Sequence, residues 1–303
     1  MSDECSTFAQ ISTLNKNLYN WFLFIVLSVI WGSSFILMKL GMKELTAVQV
    51  AAIRILSAGI VLLPFAWKSV KMIPRNKMGY VVASGFFGSF FPAFLYCLAE
   101  TRIDSSLAAV LNSFTPVFAI IIGVSFFQMQ ITREKIIGVI IGFIGLVLLP
   151  FASKGGVDLT DVSYSLLILL ATVCYGINVN MVARHLKEVE SLRIASLAFA
   201  IWAIPSFIIL AASGFFHLPL HETSFLQSVS ASAVLGIFGT AIASVLFYML
   251  VKSAGTIFAS LVTYGIPFIA IVWGLIFNES VTILQVVCLG IILAGVYLVN
   301  RKK

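Results

Sequence analysis

Several long apolar segments of this sequence carry polar residues near their middle, and these residues are its best candidates for chemistry. The segment 106–127, SLAAVLNSFTPVFAIIIGVSFF, holds Asn112 and Pro116 four residues apart, which puts them on one face of a helix. A proline in a helix interior costs about 3 kcal/mol, and an asparagine in an apolar setting needs a hydrogen-bond partner. The segment therefore predicts a kinked helix whose polar group faces a neighbouring helix or a cavity.

Arg54, in AAIRIL, is the charged residue that lies deepest inside an apolar segment. Two interpretations of it stay open. It could face a cavity and attract an anionic group such as a substrate carboxylate, or it could extend to the outer boundary beside Glu44 or Asp104. Glu100 ends its segment and is expected at the membrane interface. No carboxylate occupies the centre of an apolar segment, so the usual proton relay of a pump is not indicated and the energy source stays open.

The elements that must position these residues are membrane helices. Of the 303 residues, 60% are hydrophobic and 10% are charged, and the mean hydropathy is +1.08. A soluble domain carries about 25% charged residues. Thr282, with Gln285 three residues later, marks one helix start. Crossing the bilayer takes about 20 apolar residues. An all-α membrane protein with ten transmembrane helices is predicted, at 21–40, 47–67, 78–98, 106–127, 136–152, 164–183, 192–213, 231–251, 257–277 and 283–299.

Lysine and arginine are distributed unevenly between the loops. With the N-terminus placed in the cytoplasm, fourteen of them fall on the inside, counting Arg193 at the start of the segment 192–213. Three fall in outside loops, and Lys39 and Arg54 lie within apolar segments. This bias follows the positive-inside rule and predicts a protein of the cell (inner) membrane with both termini cytoplasmic. Because the basic residues sit in short loops, the net charge of +7 does not indicate a nucleic-acid partner.

The sequence also repeats itself. Residues 111–127, LNSFTPVFAIIIGVSFF, resemble residues 262–278, VTYGIPFIAIVWGLIFN, at a spacing of 151, and WGSSF (31–35) resembles YGINV (175–179) at a spacing of 144. An odd number of helices in each copy forces the second copy to insert upside down, an arrangement typical of transporters. We predict a cytoplasmic segment 1–19, a five-helix repeat 20–152, an external linker 153–163, and an inverted five-helix repeat with a short tail, 164–303.

The repeat assigns a candidate substrate site. Matched polar and aromatic residues from both copies would face a central cavity, with Arg54 at its outer mouth, and Pro116 and Pro267 would form two matched helix kinks. The alternative is that these residues only join helices, through hydrogen bonds worth about 0.6 kcal/mol each, and that the prolines only shape packing. The candidate substrate-binding residues are Trp31, Ser34, Arg54, Asn112, Tyr175, Asn178, Thr263 and Tyr264.

With these residues in view, the chain resembles the EamA-type carriers of the drug/metabolite transporter superfamily over about residues 20–300. The most informative segments are AAVLNSFTPVFAIIIGVSFF (108–127) and ASLVTYGIPFIAIVWGLIFNES (259–280). The family usually places an acidic pair after the proline helix; here Asn278–Glu279 supplies one, whereas the first copy has Gln128–Met129. The resemblance implies export of small metabolites or amino acids and fixes no single substrate.

We therefore predict a transporter of small organic solutes that works by alternating access and is not an enzyme. No cofactor or metal is expected, because no nucleotide-binding or zinc motif appears and Pro219 separates His217 from His221 in a loop. The partners are a small-molecule substrate and the lipid bilayer; monomer or homodimer stays undecided. A membrane-embedded lipid-linked transferase is one alternative, although the segments lack clustered acid–base groups. A nonenzymatic membrane scaffold is another, but it would gain nothing from an inverted repeat.

Overall fold

The computed structural model describes residues 2–103, 105–151, 162–276 and 282–300. Within these ranges the chain is helical and contains no β-strand, which confirms the all-α class. Two π-helical turns, Phe86–Phe90 and Ile237–Ile242, interrupt longer helices. The α-helices are α1 (Ser2–Gly41), α2 (Ala47–Met72), α3 (Arg75–Gly85), α4 (Phe91–Ala99), α5 (Ser105–Asn112), α6 (Thr115–Phe127), α7 (Arg133–Phe151), α8 (Val162–His185), α9 (Ser191–Ala212), α10 (Thr223–Gly236), α11 (Ala243–Ala254), α12 (Thr256–Ser260), α13 (Val262–Ile276) and α14 (Ile283–Asn300).

Eight helical stretches of the described residues are long and apolar enough to cross a membrane. A further apolar helix, Ile283–Val299, is shorter, and the expected segment 136–152 falls on α7. Length and composition thus identify a multi-pass membrane protein without fixing the number of crossings at ten. The eight stretches are Lys16–Gly41, Ala47–Met72, Arg75–Ala99, Leu107–Phe127, Ser163–His185, Ser191–Ala212, Thr223–Ala254 and Thr256–Trp273.

Two helices begin with the same reciprocal capping arrangement. The backbone N–H of Thr282 donates to Gln285 Oε1 at 2.8 Å, and the backbone N–H of Gln285 donates to Thr282 Oγ1 at 3.2 Å, which confirms the predicted start of α14. Thr46 and Gln49 form the equivalent pair before α2, at 2.9 and 3.3 Å. At the other end of the chain, α1 continues back to Ser2 because residues 2–19 contain neither proline nor glycine to end it.

Glycines allow two helix pairs to pack at close range. A Cβ added at Gly59 of α2 would lie 2.5 Å from Ala203 Cβ of α9, and one added at Gly295 of α14 would lie 2.4 Å from the backbone nitrogen of Gly142 in α7. Such close approach between membrane helices requires small residues at the crossing point. The pairs α2–α9 and α7–α14 share the most extensive packing surfaces of the described helices.

The remaining helices form two matching sets of contacts, one around α1 and α2 and the other around α8 and α9. Helix α1 packs against α11 and α13, and α8 packs against α4 and α6. In the same way, α2 packs against α10, and α9 packs against α3. Outside this bundle the surface is strongly apolar: Trp67 and Phe126 are each 79% exposed, as expected for side chains that face lipid. Between α1, α8, the π-helical turns and α11, the interior is left partly open.

Candidate functional site

A cavity lies at the centre of the bundle, and seven of the eight candidate residues line it. It encloses about 870 Å³ of space between atoms, with the open solvent at its mouth included. α1, α2, both π-helical turns, α4, α5, α6, α8 and α11–α13 all contribute to its wall. Residues far apart in the sequence thus meet in one mixed polar and aromatic pocket. The candidates that line it are Trp31, Ser34, Arg54, Asn112, Tyr175, Asn178 and Thr263.

Tyr264 is the candidate that the structure places elsewhere. Its hydroxyl donates to the backbone carbonyl of Val139 at 3.0 Å, and its side chain is fully buried. A Cβ added at Gly142 would lie only 2.5 Å from the Tyr264 ring, so the ring fills the space that this glycine leaves on α7. Tyr264 therefore joins α13 to α7 and does not line the cavity.

Four aromatic residues of the cavity wall form two pairs at matched positions. Trp31 packs against Phe247 with ring centroids 5.3 Å apart, and Tyr175 stacks on Tyr96 with centroids 6.1 Å apart. Trp31 and Tyr175 are separated by 144 positions, and Tyr96 and Phe247 by 151, the two spacings of the sequence repeat. Each pair thus joins a residue of α1 or α8 to a residue that follows a π-helical turn.

The two π-helical turns were missed by the sequence reasoning, and both line the cavity. Their residues Gly88 and Gly239 lie 151 positions apart. A Cβ at Gly88 would come within 2.4 Å of Asn178 Nδ2, and one at Gly239 within 2.8 Å of Ser34 Oγ. The Trp31 indole N–H donates to the Gly239 carbonyl at 3.0 Å. A signal was available, because GFFGS (85–89) recurs as GIFGT (236–240), and π-helical turns often mark functional sites.

Arg54 points into the cavity and is half-buried. Its Nε donates to Thr240 Oγ1 at 2.6 Å, a bond that ties α2 to the second π-helical turn. Arg193 and Glu190 form the one ion pair found between described residues, so Arg54 is not neutralised by a described carboxylate. A guanidinium that lines a pocket without a carboxylate partner among the described residues is a strong site for a carboxylate or another planar anion.

Both proline helices are interrupted beside the cavity. Ser113 and Phe114 form a turn between α5 and α6, and Pro116 lies in the first turn of α6. The Thr115 hydroxyl donates to the Asn112 carbonyl at 2.7 Å, and proline at 116 cannot donate to that carbonyl as the i+4 residue of a regular helix would. In the second proline helix the break falls at residue 261, before α13, and Pro267 lies within α13. There the Thr263 hydroxyl donates to the Ser260 carbonyl at 3.0 Å.

Three buried side-chain polar atoms of the described residues have no hydrogen-bond partner, and all three lie in or next to the cavity. They are Asn178 Oδ1, the Tyr96 hydroxyl and Glu100 Oε1. Buried polar atoms normally form hydrogen bonds. Buried atoms that lack a partner and lie together at a pocket are therefore suited to bind a polar ligand or water. No group of three or more His, Cys, Asp or Glu in the described part of the chain could hold a metal ion.

A multi-pass helical bundle around a polar and aromatic cavity is the arrangement of a membrane transporter of small molecules. The chain belongs to the EamA-like transporter family, whose family model matches residues 19–151 and again residues 162–301. The expected resemblance is thereby confirmed.

Individual relatives carry related names. An uncharacterized transporter of Archaeoglobus fulgidus is 26% identical over 291 residues, covering 93% of this chain and 99% of that protein. A probable amino-acid metabolite efflux pump of Salmonella typhimurium is 24% identical over 75% of each chain. An S-adenosylmethionine/S-adenosylhomocysteine transporter of Chlamydia muridarum is 27% identical over 93% of this chain and 92% of that one. A crystal structure with 15% identity superposes with TM-score 0.68 over 91% of this chain and 94% of that chain, which shows a shared fold.

Proposed function

We propose that this transporter exports small organic solutes, namely amino acids or related metabolites, by alternating access at the central cavity. The observation that carries the proposal is the cavity itself. It combines two aromatic pairs with a guanidinium that has no carboxylate partner, and with buried polar atoms that have no hydrogen-bond partner, among the described residues. Such a set suits a solute with one charged end and one apolar or aromatic end. In this assignment Arg54 holds the carboxylate, Asn178 orients the solute, and Trp31 and Tyr175 enclose its body.

The names of two relatives agree with this class of solute. One relative is named for amino-acid metabolites and another for S-adenosylmethionine and S-adenosylhomocysteine. All of these compounds are amino acids or close derivatives, and both adenosyl compounds carry an intact α-amino acid group. The shared chemistry is therefore a carboxylate next to an ammonium, and this is the group that we assign to the Arg54 side of the cavity.

We further propose that ten helices cross the membrane as two inverted five-helix repeats, residues 20–152 and 164–303, with segment 1–19 and both termini cytoplasmic and the 153–163 linker external. The helix contacts support this architecture, because a helix of each copy packs against helices of the other. Helix α1 packs against α11 and α13, and the matching helix α8 packs against α4 and α6. The two family-model matches have nearly the same bounds. The surplus of basic residues on one side supports the orientation, which places the protein in the cell (inner) membrane.

The experiment that tests the function begins with a thermal-shift screen of the detergent-purified protein. Amino acids, nucleosides and sugar derivatives are compared, because a ligand that binds the folded state raises the melting temperature. The best ligand is then loaded, in labelled form, into proteoliposomes and its efflux is followed. Saturable efflux of an unchanged amino-acid-type solute supports the proposal. Chemical conversion of the solute would point to the lipid-linked transferase, and neither binding nor flux across the whole panel would overturn the assigned solute class.

A further inference from the structure

Glu100 is a buried carboxyl group that the proposed transport site does not use. It follows directly after the apolar stretch Arg75–Ala99, where a position at the membrane interface was expected, and it is only 8% exposed. Among the residues that the structure describes, its Oε1 has no hydrogen-bond partner, and its Oε2 has only the Ser105 hydroxyl at 3.4 Å. A carboxylate in such a setting is poorly stabilised, because an ionised oxygen normally accepts several hydrogen bonds when it leaves water.

The backbone adds to this effect. Glu100 is the C-terminal cap of α4, where its backbone N–H bonds to the carbonyls of Tyr96 and Leu98. The C-terminal end of a helix carries a partial negative charge and therefore disfavours a carboxylate. Burial raises the pKa of the Glu100 carboxyl to about 8, despite the opposing effects of the Lys39 charge, the Ser105 hydrogen bond and the Arg54 charge. At neutral pH the group is thus mainly protonated.

Glu100 is also connected to the cavity. Tyr96 lies one helical turn before it on the same face of α4, and the orphaned Tyr96 hydroxyl belongs to the cavity wall. Lys39 of α1 and Arg54 of α2 act electrostatically on the carboxyl. The carboxyl in turn acts on Tyr96 and Cys97 of α4. Arg54 therefore lies within the electrostatic reach of Glu100 without forming an ion pair with it.

We infer that Glu100 is a proton-binding site of this transporter, and that its protonation is linked to the binding of a carboxylate on Arg54. The inference rests on the proposed function for the identity of the second site. A carboxylate that docks on Arg54 adds negative charge near Glu100 and neutralises the cation that favours its ionised form. Both changes favour protonated Glu100, so one anionic group and one proton bind together. Linkage is reciprocal, so protonation of Glu100 strengthens carboxylate binding to the same extent.

The first test needs no substrate. Lipid-reconstituted protein is titrated by infrared difference spectroscopy, and the carbonyl stretch of protonated carboxyl groups is followed as the pH rises through about 8. We expect the wild type to lose a band over this range, Glu100→Gln to lack that band, and Glu44→Gln to retain it, since the Glu44 side chain is exposed. Glu100→Asp serves as a second variant in case Glu100→Gln folds poorly. It keeps a carboxyl group, and its band should be shifted relative to that of the wild type. A wild type without this band, or a Glu100→Gln variant that retains it, overturns the proton site.

The second test examines the linkage with sodium acetate as the carboxylate probe and sodium chloride as the control salt. Acetate should move the midpoint of the Glu100 band to higher pH in the wild type and leave it unmoved in Arg54→Gln. In return, the Kd for acetate should rise above pH 8, by at most about tenfold per pH unit for one linked proton. An unmoved midpoint at saturating acetate refutes the linkage. If the band titrates but no solute in the transport panel crosses the membrane, the proposed function fails while the proton site stands.

Discussion

Asn178 and Asn180 provide a matched test of whether the cavity binds a solute or only joins helices. Both lie on α8, two positions apart, and each is 3% exposed. Asn180 Nδ2 donates to the carbonyls of Ala119 and Gly176, both at 2.8 Å. Asn178 faces the cavity, and its Oδ1 accepts no hydrogen bond from any residue that the structure describes. The same substitution, asparagine to leucine, should therefore have different consequences at the two positions.

The magnitudes follow from the hydrogen bonds that each variant loses. Asn180→Leu removes two bonds worth about 0.5–1.5 kcal/mol each, so the free energy of unfolding should fall by about 1–3 kcal/mol. Asn178→Leu removes an amide that contacts the Tyr248 hydroxyl, but it also removes an unpaired buried oxygen. These effects oppose each other, and the stability of the empty protein should change by less than about 1 kcal/mol.

Ligand affinity should be affected more by the Asn178 variant than by the Asn180 variant, the reverse of the effect on stability. A solute that pairs with Asn178 loses about 1–3 kcal/mol of binding free energy in the leucine variant, which weakens the affinity roughly 5- to 150-fold. Asn180 does not line the cavity, so its variant should bind with nearly wild-type affinity wherever it is folded. Melting temperatures of the detergent-purified variants, measured without ligand and across a ligand titration, give both quantities. Equal destabilisation by the two variants, with unchanged affinity in both, would refute the assignment of Asn178 to a solute site.

Three other predictions concern the proline helices, the packing of α7 against α14, and the orientation in the membrane. Pro116→Ala and Pro267→Ala should reduce the transport rate more than the yield of folded protein, because alanine restores helix hydrogen bonds; parallel loss of both would indicate a packing role. Gly295→Val should sharply lower the yield of folded protein by separating α14 from α7, whereas Gly290→Ala, whose added Cβ meets nothing within 4 Å, should be neutral or stabilising by about 0.5–1 kcal/mol. A cysteine at Lys71, in a background without native cysteines, should react with a reagent applied from the cytoplasmic side; labelling only from outside would invert the proposed orientation.

Hydropathy predicted where helices form because a long apolar run has few alternatives in a bilayer. It did not predict how the helices are interrupted. The stretch 106–127 was expected as one kinked helix, whereas the chain turns at Ser113 and Phe114 before α6 begins. The π-helical turns depend on a local shift of hydrogen-bond register, which hydropathy does not record. The recurrence of Gly-x-Phe-Gly at a spacing of 151 could have indicated them.

The sequence repeat predicted that several matched positions meet at one cavity, but it does not determine the direction of each side chain. Thr263 and Tyr264 are neighbours, and successive residues of an α-helix point about 100° apart. Thr263 lines the cavity, while Tyr264 turns toward α7 and bonds to Val139. The two interpretations of Arg54 could not be separated for a similar reason, since its hydrogen-bond partner Thr240 lies 186 residues further along the chain.

The charge that Arg54 brings to the cavity has no counterpart in the second copy of the repeat. This asymmetry restricts the kind of solute that the cavity favours. Matched positions supply similar groups to both sides: Trp31 and Tyr175, Ser34 and Asn178, Gly88 and Gly239, Ser89 and Thr240 all line the pocket. Arg54 has no such match, because the residue 144 positions further on is Ala198, which is buried outside the cavity wall. Arg54 gives the pocket one guanidinium, and the matched positions add no further charge. Such a pocket favours solutes with a single anionic end over dicarboxylates, because the second carboxylate would be desolvated without a partner. Amino acids meet this requirement, since their ammonium can use the orphaned Asn178 oxygen.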